Sequence, residues 1–309
     1  MIEANWLLNP EAAYEDWQRT EAADSRRRPV TERSIIQHQM MFARFILHLG
    51  ARGQTVATFG PAEIDGFITQ LAVDVRPDKT THLRYLKLID EVSRYLVTIQ
   101  VRKDNPVSVM LVGRTWPEDE PMPSYLSEAD DLRLQRSCNA VSAGTFNDLQ
   151  GLALVAIFLG TGITSTECRQ LELDDLNVDG LRSNVYVKKA GARVFRHVSL
   201  DLFSIDCLGM YVLARRLLTE PSRYLFNSNY TSEPMDDGIL HKFIKRAVRA
   251  TGVTVADITP RILRNTYGRR HIASGCTNEQ VSEKLGLSSQ RTAARLRCTL
   301  DFLDSKKKS

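Results

Sequence analysis

No apolar run in the 309 residues approaches the roughly 18 that a membrane-spanning helix needs, so a helical membrane protein is not the expectation. The opening stretch MIEANWLLNPEAAYEDW carries acids where a secretory leader carries a basic region, and the expected location is the cytoplasm. Cysteine is sparse. Cys138, Cys168, Cys207, Cys276 and Cys298 are scattered with no close pair along the chain, which removes the spacing of a zinc site and of a disulfide framework. They read as buried or incidental thiols, with no metal or other cofactor implied. Internal repeats are absent, and the only low-complexity tract is the terminal KKKS. Acidic residues, by contrast, are scarce only locally. Residues 1–112 hold 14 basic and 14 acidic side chains, whereas residues 241–300 hold 12 basic against three acidic. A local cationic excess of this kind is the footprint of a polyanion binder, although a solvated surface gives the same count.

What is present is mostly helical. A length of 309 residues with 43% hydrophobic content suits two globular domains. TERSIIQHQMMFARFILHL spaces Ile35, Phe42, Phe45, Ile46 and Leu49 along one helix face, leaving Gln37, Arg44 and His48 to point elsewhere. Gly60-Pro61 opens a second helix through Ile64, Phe67, Ile68 and Leu71. A third is expected from about Asp78 to Ile99, with the apolar stripe Leu83, Leu86, Ile89, Val92, Leu96, Ile99 and the basic face Arg84, Lys87, Arg94. A basic-faced helix is a candidate reader of the major groove, and equally a solvated surface. The expected boundaries are an N-terminal DNA-binding domain over 1–112, a linker over 113–126 containing GRTWPEDEPMPSYL, and a second domain over 127–309 opened by Ser127 as N-cap. In that domain NDLQGLALVAIFLG is apolar nearly all round and reads as a core helix. One β-hairpin is expected, VYVKK and RVFRHVSL about the turn Ala190-Gly191-Ala192, with Val194, Arg196 and Val198 alternating with Phe195, His197 and Ser199. HKFIKRAVRA, ILRNTYGRRHIAS and TNEQVSEKLG follow as helices, the last opened by a Thr277–Gln280 capping box.

Several stretches, in order, resemble the tyrosine site-specific recombinases, or phage integrases. They are the helical N-terminal domain ending in NPV, the linker into YLSEAD, FLGTGITSTECRQLELDDL, the hairpin VKKAGARVFRHVSL, TPRILRNTYGRRHIASG and LGLSSQRTAARL. The resemblance implies a mainly α fold with a small β-hairpin or sheet, a two-domain architecture with a helical core-binding domain and an integrase-type C-terminal domain, and a C-shaped clamp around duplex DNA. It also implies a phosphotyrosine intermediate formed without metal or nucleotide. Such chemistry needs two arginines on the scissile phosphate, a hairpin lysine and histidines to manage protons, and a tyrosine near the C-terminus to attack phosphorus.

Residue by residue, Arg264 falls on the second arginine and Lys189, or else Lys188, on the hairpin lysine. Other positions depart. Ile163 and Thr164 stand where the first arginine follows TG, Arg261 where a histidine precedes the second arginine, Asn265 just after it, and Leu287 where a histidine or tryptophan follows Leu285-Gly286. The nucleophile is expected at or beside Leu296, yet no tyrosine occurs in the 42 residues beyond Tyr267. Tyr267 itself reads as a core or interface aromatic. Cys298 and Thr299 lie near the expected position, but a neutral threonine needs a base, and a thiol would lack the missing arginine.

The leading expectation is therefore a duplex-DNA-binding protein of the recombinase fold, catalytically inactive, acting as accessory or regulatory factor for a mobile element and associating with itself or a related recombinase on DNA. The DNA-binding candidates are Arg84, Lys87, Arg94, Lys188, Lys189, Arg196, Arg261, Arg264, Arg269, Arg291 and Arg295. Arg261 and Arg264 pairing with acids such as Asp257 is the plainer alternative. An active recombinase with another nucleophile is a second reading. A third takes TNEQVSEKLGLSSQRTAARLR as the helix-turn-helix of a transcription regulator, with Leu285-Gly286-Leu287 at the turn. The tail residues Leu300, Phe302 and Leu303 are candidates for docking on a neighbouring protomer.

Overall fold

Among the described residues, four helices begin on a proline, which is favoured in the first turn because its missing N–H has no intrahelical acceptor there and its φ is already helical. They are α2 (Pro10–Arg19), α4 (Pro61–Val75), α6 (Pro106–Leu111) and α12 (Pro260–Ala273). The computed structural model describes residues 2–20, 32–75, 79–111, 122–140, 144–179, 182–188, 195–218, 222–227, 232–255 and 257–307, the last seven of these by their backbone. Two compact units result, Met1–Glu120 and Pro121–Ser309. Among the described residues no helix is long and apolar enough to cross a membrane.

The first unit adds α1 (Ile2–Leu8), α3 (Glu32–Gly50) and α5 (Lys79–Thr98). Its core is aromatic. Trp6 is ringed by Tyr14, Trp17, Phe42 and Tyr95, and Phe45 packs on Phe59 and Phe67. Buried Arg102 donates to the carbonyls of Val56, Phe59 and Asp104, fastening the α3–α4 connection to the segment after α5. His48 corrects the expected outward placement. It is buried, its Nε2 against the Glu63 carbonyl at 3.1 Å and its Nδ1 3.0 Å from both Gln70 and Arg52. On α5 the buried stripe is broader than expected, since Tyr85 and Leu88 join it while Leu83 and Ile99 are half-buried. Arg84, Lys87 and Arg94 face out, and Arg94 pairs with Asp90 at 2.5 Å.

The second unit holds α7 (Glu128–Asn139), α8 (Phe146–Thr161), α9 (Ser165–Gln170), α10 (Leu202–Arg216), α11 (Asp237–Ala250), α12, α13 (Asn278–Lys284) and α14 (Arg291–Lys307). Its three-stranded antiparallel sheet runs β1 (Leu176–Asn177), β2 (Asn184–Val187), β3 (Arg196–Ser199), with Val185 opposite Val198 and Tyr186 opposite His197. Lys189 and the expected turn Ala190-Gly191-Ala192 lie outside the described residues. Apolar all round, α8 is the central post, contacting α7, α10, α11 and α12 and buried from Ala153 to Ile163. Residues 113–121 of the expected linker, with Val112 before them, are also outside the described residues. Those just before Ser127 are docked: the Leu126 N–H donates to Thr266 Oγ1 at 2.9 Å and Asn265 Nδ2 to the Ser124 carbonyl at 2.8 Å. Side-chain caps from Ser127, Thr145, Thr259 and Thr277 start α7, α8, α12 and α13, the last with the expected capping box.

Candidate nucleic-acid interface

Thr259 caps α12 and Pro260 fills its first turn, so the helix carries Arg261, Arg264, Arg269, Arg270 and His271 in fixed phase. Their surroundings differ sharply. Arg264 is buried and donates through Nη1 to the Gly162 carbonyl and through Nη2 to the Leu285 carbonyl at 2.6 Å. Both acceptors end helices, Gly162 as the left-handed C-cap of α8 and Leu285 as the C-cap of α13. Carbonyls at helix C-termini lack intrahelical donors and carry partial negative charge, which the guanidinium satisfies. A side chain at Gly162 would strike the Tyr267 ring and Leu285, and its φ of 63° adds to the demand for glycine. Tyr267 is thus a core residue, as expected, and burial pushes its phenol far above the ordinary range.

Arg270 is held by both Asp131 oxygens at 3.0 Å, by Asp201 and by the Leu159 carbonyl. Arg269 lies 4.4 Å over the Tyr125 ring and donates to Thr299 Oγ1 at 3.1 Å. Burial, with the neighbouring charges of Lys284 and Arg270, pushes the His271 imidazole down to about 4, so it is neutral at physiological pH. Its ring meets Tyr267 edge-on at 4.3 Å, and Nε2 stands 3.7 Å from Asp201, beyond hydrogen-bond reach. Only Arg261 of the five is exposed, and among the described residues no carboxylate engages it. The hydrogen bonds that Arg264 gives at Gly162 and Leu285 run to carbonyls rather than to Asp257, and its charge also acts on Glu167.

The remaining positions are equally particular. Ile163 is fully buried, and Thr164 caps α9 in a reciprocal capping box with Glu167. Glu167 is itself buried and pairs with Arg196 at 2.7 Å. Burial alone would raise this carboxyl; the Arg196 hydrogen bonds and charge, with help from the Thr164 backbone and Arg264, hold it below its ordinary value. The side chain of Arg196 also donates from Nε to the Lys284 carbonyl at 3.1 Å and lies against Gly286, where a Cβ would collide with it. Arg196, expected among the DNA-binding candidates, therefore turns inward into an ion pair within the unit. Lys188 is half-exposed but clasped by Glu172 at 2.9 Å and Asp175 at 3.2 Å. Leu287 is half-buried against the core. Leu296 is fully buried, Cys298 is exposed, and Thr299 is buried with its hydroxyl donating to the Leu296 carbonyl at 2.6 Å. On α14 Arg291 is exposed and Arg295 half-buried, while the side chains of Phe302 and Leu303 lie outside the described residues.

One surface escaped the sequence reading. Lys242, Lys245, Arg246 and Arg249 are all exposed on α11, at i, i+3, i+4 and i+7, a single helical stripe. That spacing was available in HKFIKRAVRA. Among the described residues only Arg246 of the four has a carboxylate partner, Asp148 at 2.7 Å. No group of three metal-ligating side chains is assembled among the described residues.

A family model for the phage integrase family matches residues 130–296. The chain is 25% identical over 219 residues to tyrosine recombinase XerC of Lacticaseibacillus casei, covering 69% of this chain and 70% of that one. To tyrosine recombinase XerD of Agrobacterium fabrum it is 22% identical over 259 residues, covering 78% and 76%. Among solved structures, XerH recombinase in a post-cleavage complex with its palindromic difH substrate superposes with a TM-score of 0.73 at 16% identity, covering 97% of this chain and 85% of that one. A lambda integrase dimer bound to a COC′ core site gives 0.66 at 15% identity, covering 94% and 77%. The chain belongs to the phage integrase family of tyrosine recombinases and has its fold.

Proposed function

We propose that this protein binds duplex DNA and does not cut it, serving as an accessory or regulatory factor in recombination or integration of a mobile element. The observation that carries the reading is the state of the two places where phosphate chemistry would be done. Leu296, at or beside which the resemblance expects the nucleophile, is a buried leucine, and of Ile163 and Thr164, where it expects the first arginine, one is buried and the other is spent on capping a helix. Neither supplies a nucleophile or a charge. Arginine at 261 in place of a proton-handling histidine removes acid–base capacity, since guanidinium does not titrate, and leaves a permanent cation suited to phosphate.

Affinity on this reading comes from exposed cations: Arg261, Arg291 and the α11 stripe in the second unit, and Arg84, Lys87 and Arg94 in the first. Such contacts position the protein on the backbone and make binding steeply salt-dependent. The recombinase complexes among its relatives, one of them a dimer on DNA, support association with a second protomer or a related recombinase. Electrophoretic shifts across a salt series, paired with a nicked suicide substrate, test the reading: a salt-sensitive shift and no covalent adduct are expected. An adduct that disappears in Cys298→Ser would instead establish the exposed thiol as nucleophile. Loss of binding only when Arg291 and Arg295 are replaced, and not Arg261 or the α11 cations, would favour the helix-turn-helix reading.

A further inference from the structure

α10 is apolar on both faces. Its inner face, Phe203, Cys207, Leu208, Tyr211 and Val212, is buried against α7 and α8. Much of its outer face is open: Leu202 is 77% exposed, Leu213 65% and the C-cap Leu217 87%, with Met210 also exposed, while Gly209 is half-buried beside Val178 and Ile205 packs partly on the core. Exposed leucines at this density on one helix mark an interaction surface. The outer seam runs Leu202, Asp206, Gly209, Leu213, Arg216, an alternating spacing of four and three that keeps one line of a helix facing a partner helix. Asp206 and Arg216 are exposed, and neither makes an ion pair among the described residues. This surface lacks the cation density of a phosphate-binding one, and DNA is not its occupant.

We infer that the outer face of α10 pairs with the same face of a second copy, antiparallel about a two-fold axis near residue 211, in the absence of DNA. The charge pattern selects this arrangement. With the axis there, residue 206 of one helix stands opposite 216 of the other, so each Asp206 meets an Arg216, twice by symmetry. Leu213 then stands opposite the half-buried Gly209, a large residue over a small one, and Leu217 lies over the half-buried Ile205. A parallel pairing would set Asp206 against Asp206 and Arg216 against Arg216, placing like charges in an apolar seam. Fifteen residues of helix span about 22 Å, less than a standard interface, and the expected dimer is weak, on the order of micromolar. This contact is separate from the proposed DNA grip and does not depend on it.

Sedimentation velocity of the full chain without DNA, over a wide concentration range, tests it. The wild type is expected to dimerise reversibly. Leu213→Glu, Asp206→Arg and Arg216→Asp should each weaken association at least about tenfold, and the double variant Asp206→Arg/Arg216→Asp should return to within about threefold of wild type. Melting temperature and DNA shift, unchanged in every variant, separate lost association from lost fold or lost DNA binding. A monomer at all concentrations, a dimer indifferent to these substitutions, or a charge swap that fails to restore it would each overturn the inference.

Discussion

Arg264 and Arg261 are three residues apart on one helix and do opposite work. Arg264 closes the carbonyl ends of α8 and α13 from inside the unit, so Arg264→Ala leaves those acceptors without a donor and opens a cavity. Thermal or urea unfolding should register a loss of about 2–4 kcal/mol. Arg261→Ala should leave stability within about 0.5 kcal/mol while lowering DNA affinity and reducing the slope of log K against log salt by about 0.9. His271 makes the second unit acid-sensitive. Its folded-state value, near 4, lies below the ordinary 6.5, so the unfolded chain binds the extra proton and stability falls as pH drops from 6.5 towards 4. The loss should reach at most about 3 kcal/mol, partly offset at the acid end because burial holds the Asp201 carboxyl above its ordinary value despite Arg270. His271→Gln should flatten the dependence of melting temperature on pH across this window.

At the scale of elements, α11 and α5 present cationic stripes while their opposite faces build the core. Lys245→Ala/Arg249→Ala removes two exposed charges that no carboxylate engages among the described residues. Gel-shift titrations should show weaker binding and a salt slope smaller by about two, with the melting temperature unmoved. Much of this level was legible from residue order: capping at Ser127 and Thr277, the apolar α8, and the alternating β3 all follow from local spacing. Long-range partners were not. That His48 is buried depends on Glu63, Gln70 and Arg52, and that Arg196 turns inward depends on Glu167, 29 residues earlier in the chain. Cation density alone could not separate an arginine that neutralises a buried carboxylate from one that faces solvent. The α11 stripe was readable by the same periodicity that found the helix, once its cations rather than its apolar residues are followed.

For the whole molecule, each unit has its own apolar core, one aromatic and gathered around Trp6 and Phe45, the other centred on α8. Expressed separately, 1–111 and 122–309 should each melt cooperatively by circular dichroism; failure of either to do so would mean its core is incomplete alone. The fold and family were legible because an ordered series of weak motifs survives along the second unit. Which cations remain accessible was not, because that is decided by packing across more than a hundred residues.

Leu296 carries a last consequence. Its methyl groups fill the space over Gly268, in the dry centre of the α12–α14 packing. Enlarging that side chain means moving two helices apart, so Leu296→Tyr would be a packing fault before it could be a reagent. On the proposed reading, a tyrosine at 296 could reach phosphorus only after the helices around it had repacked.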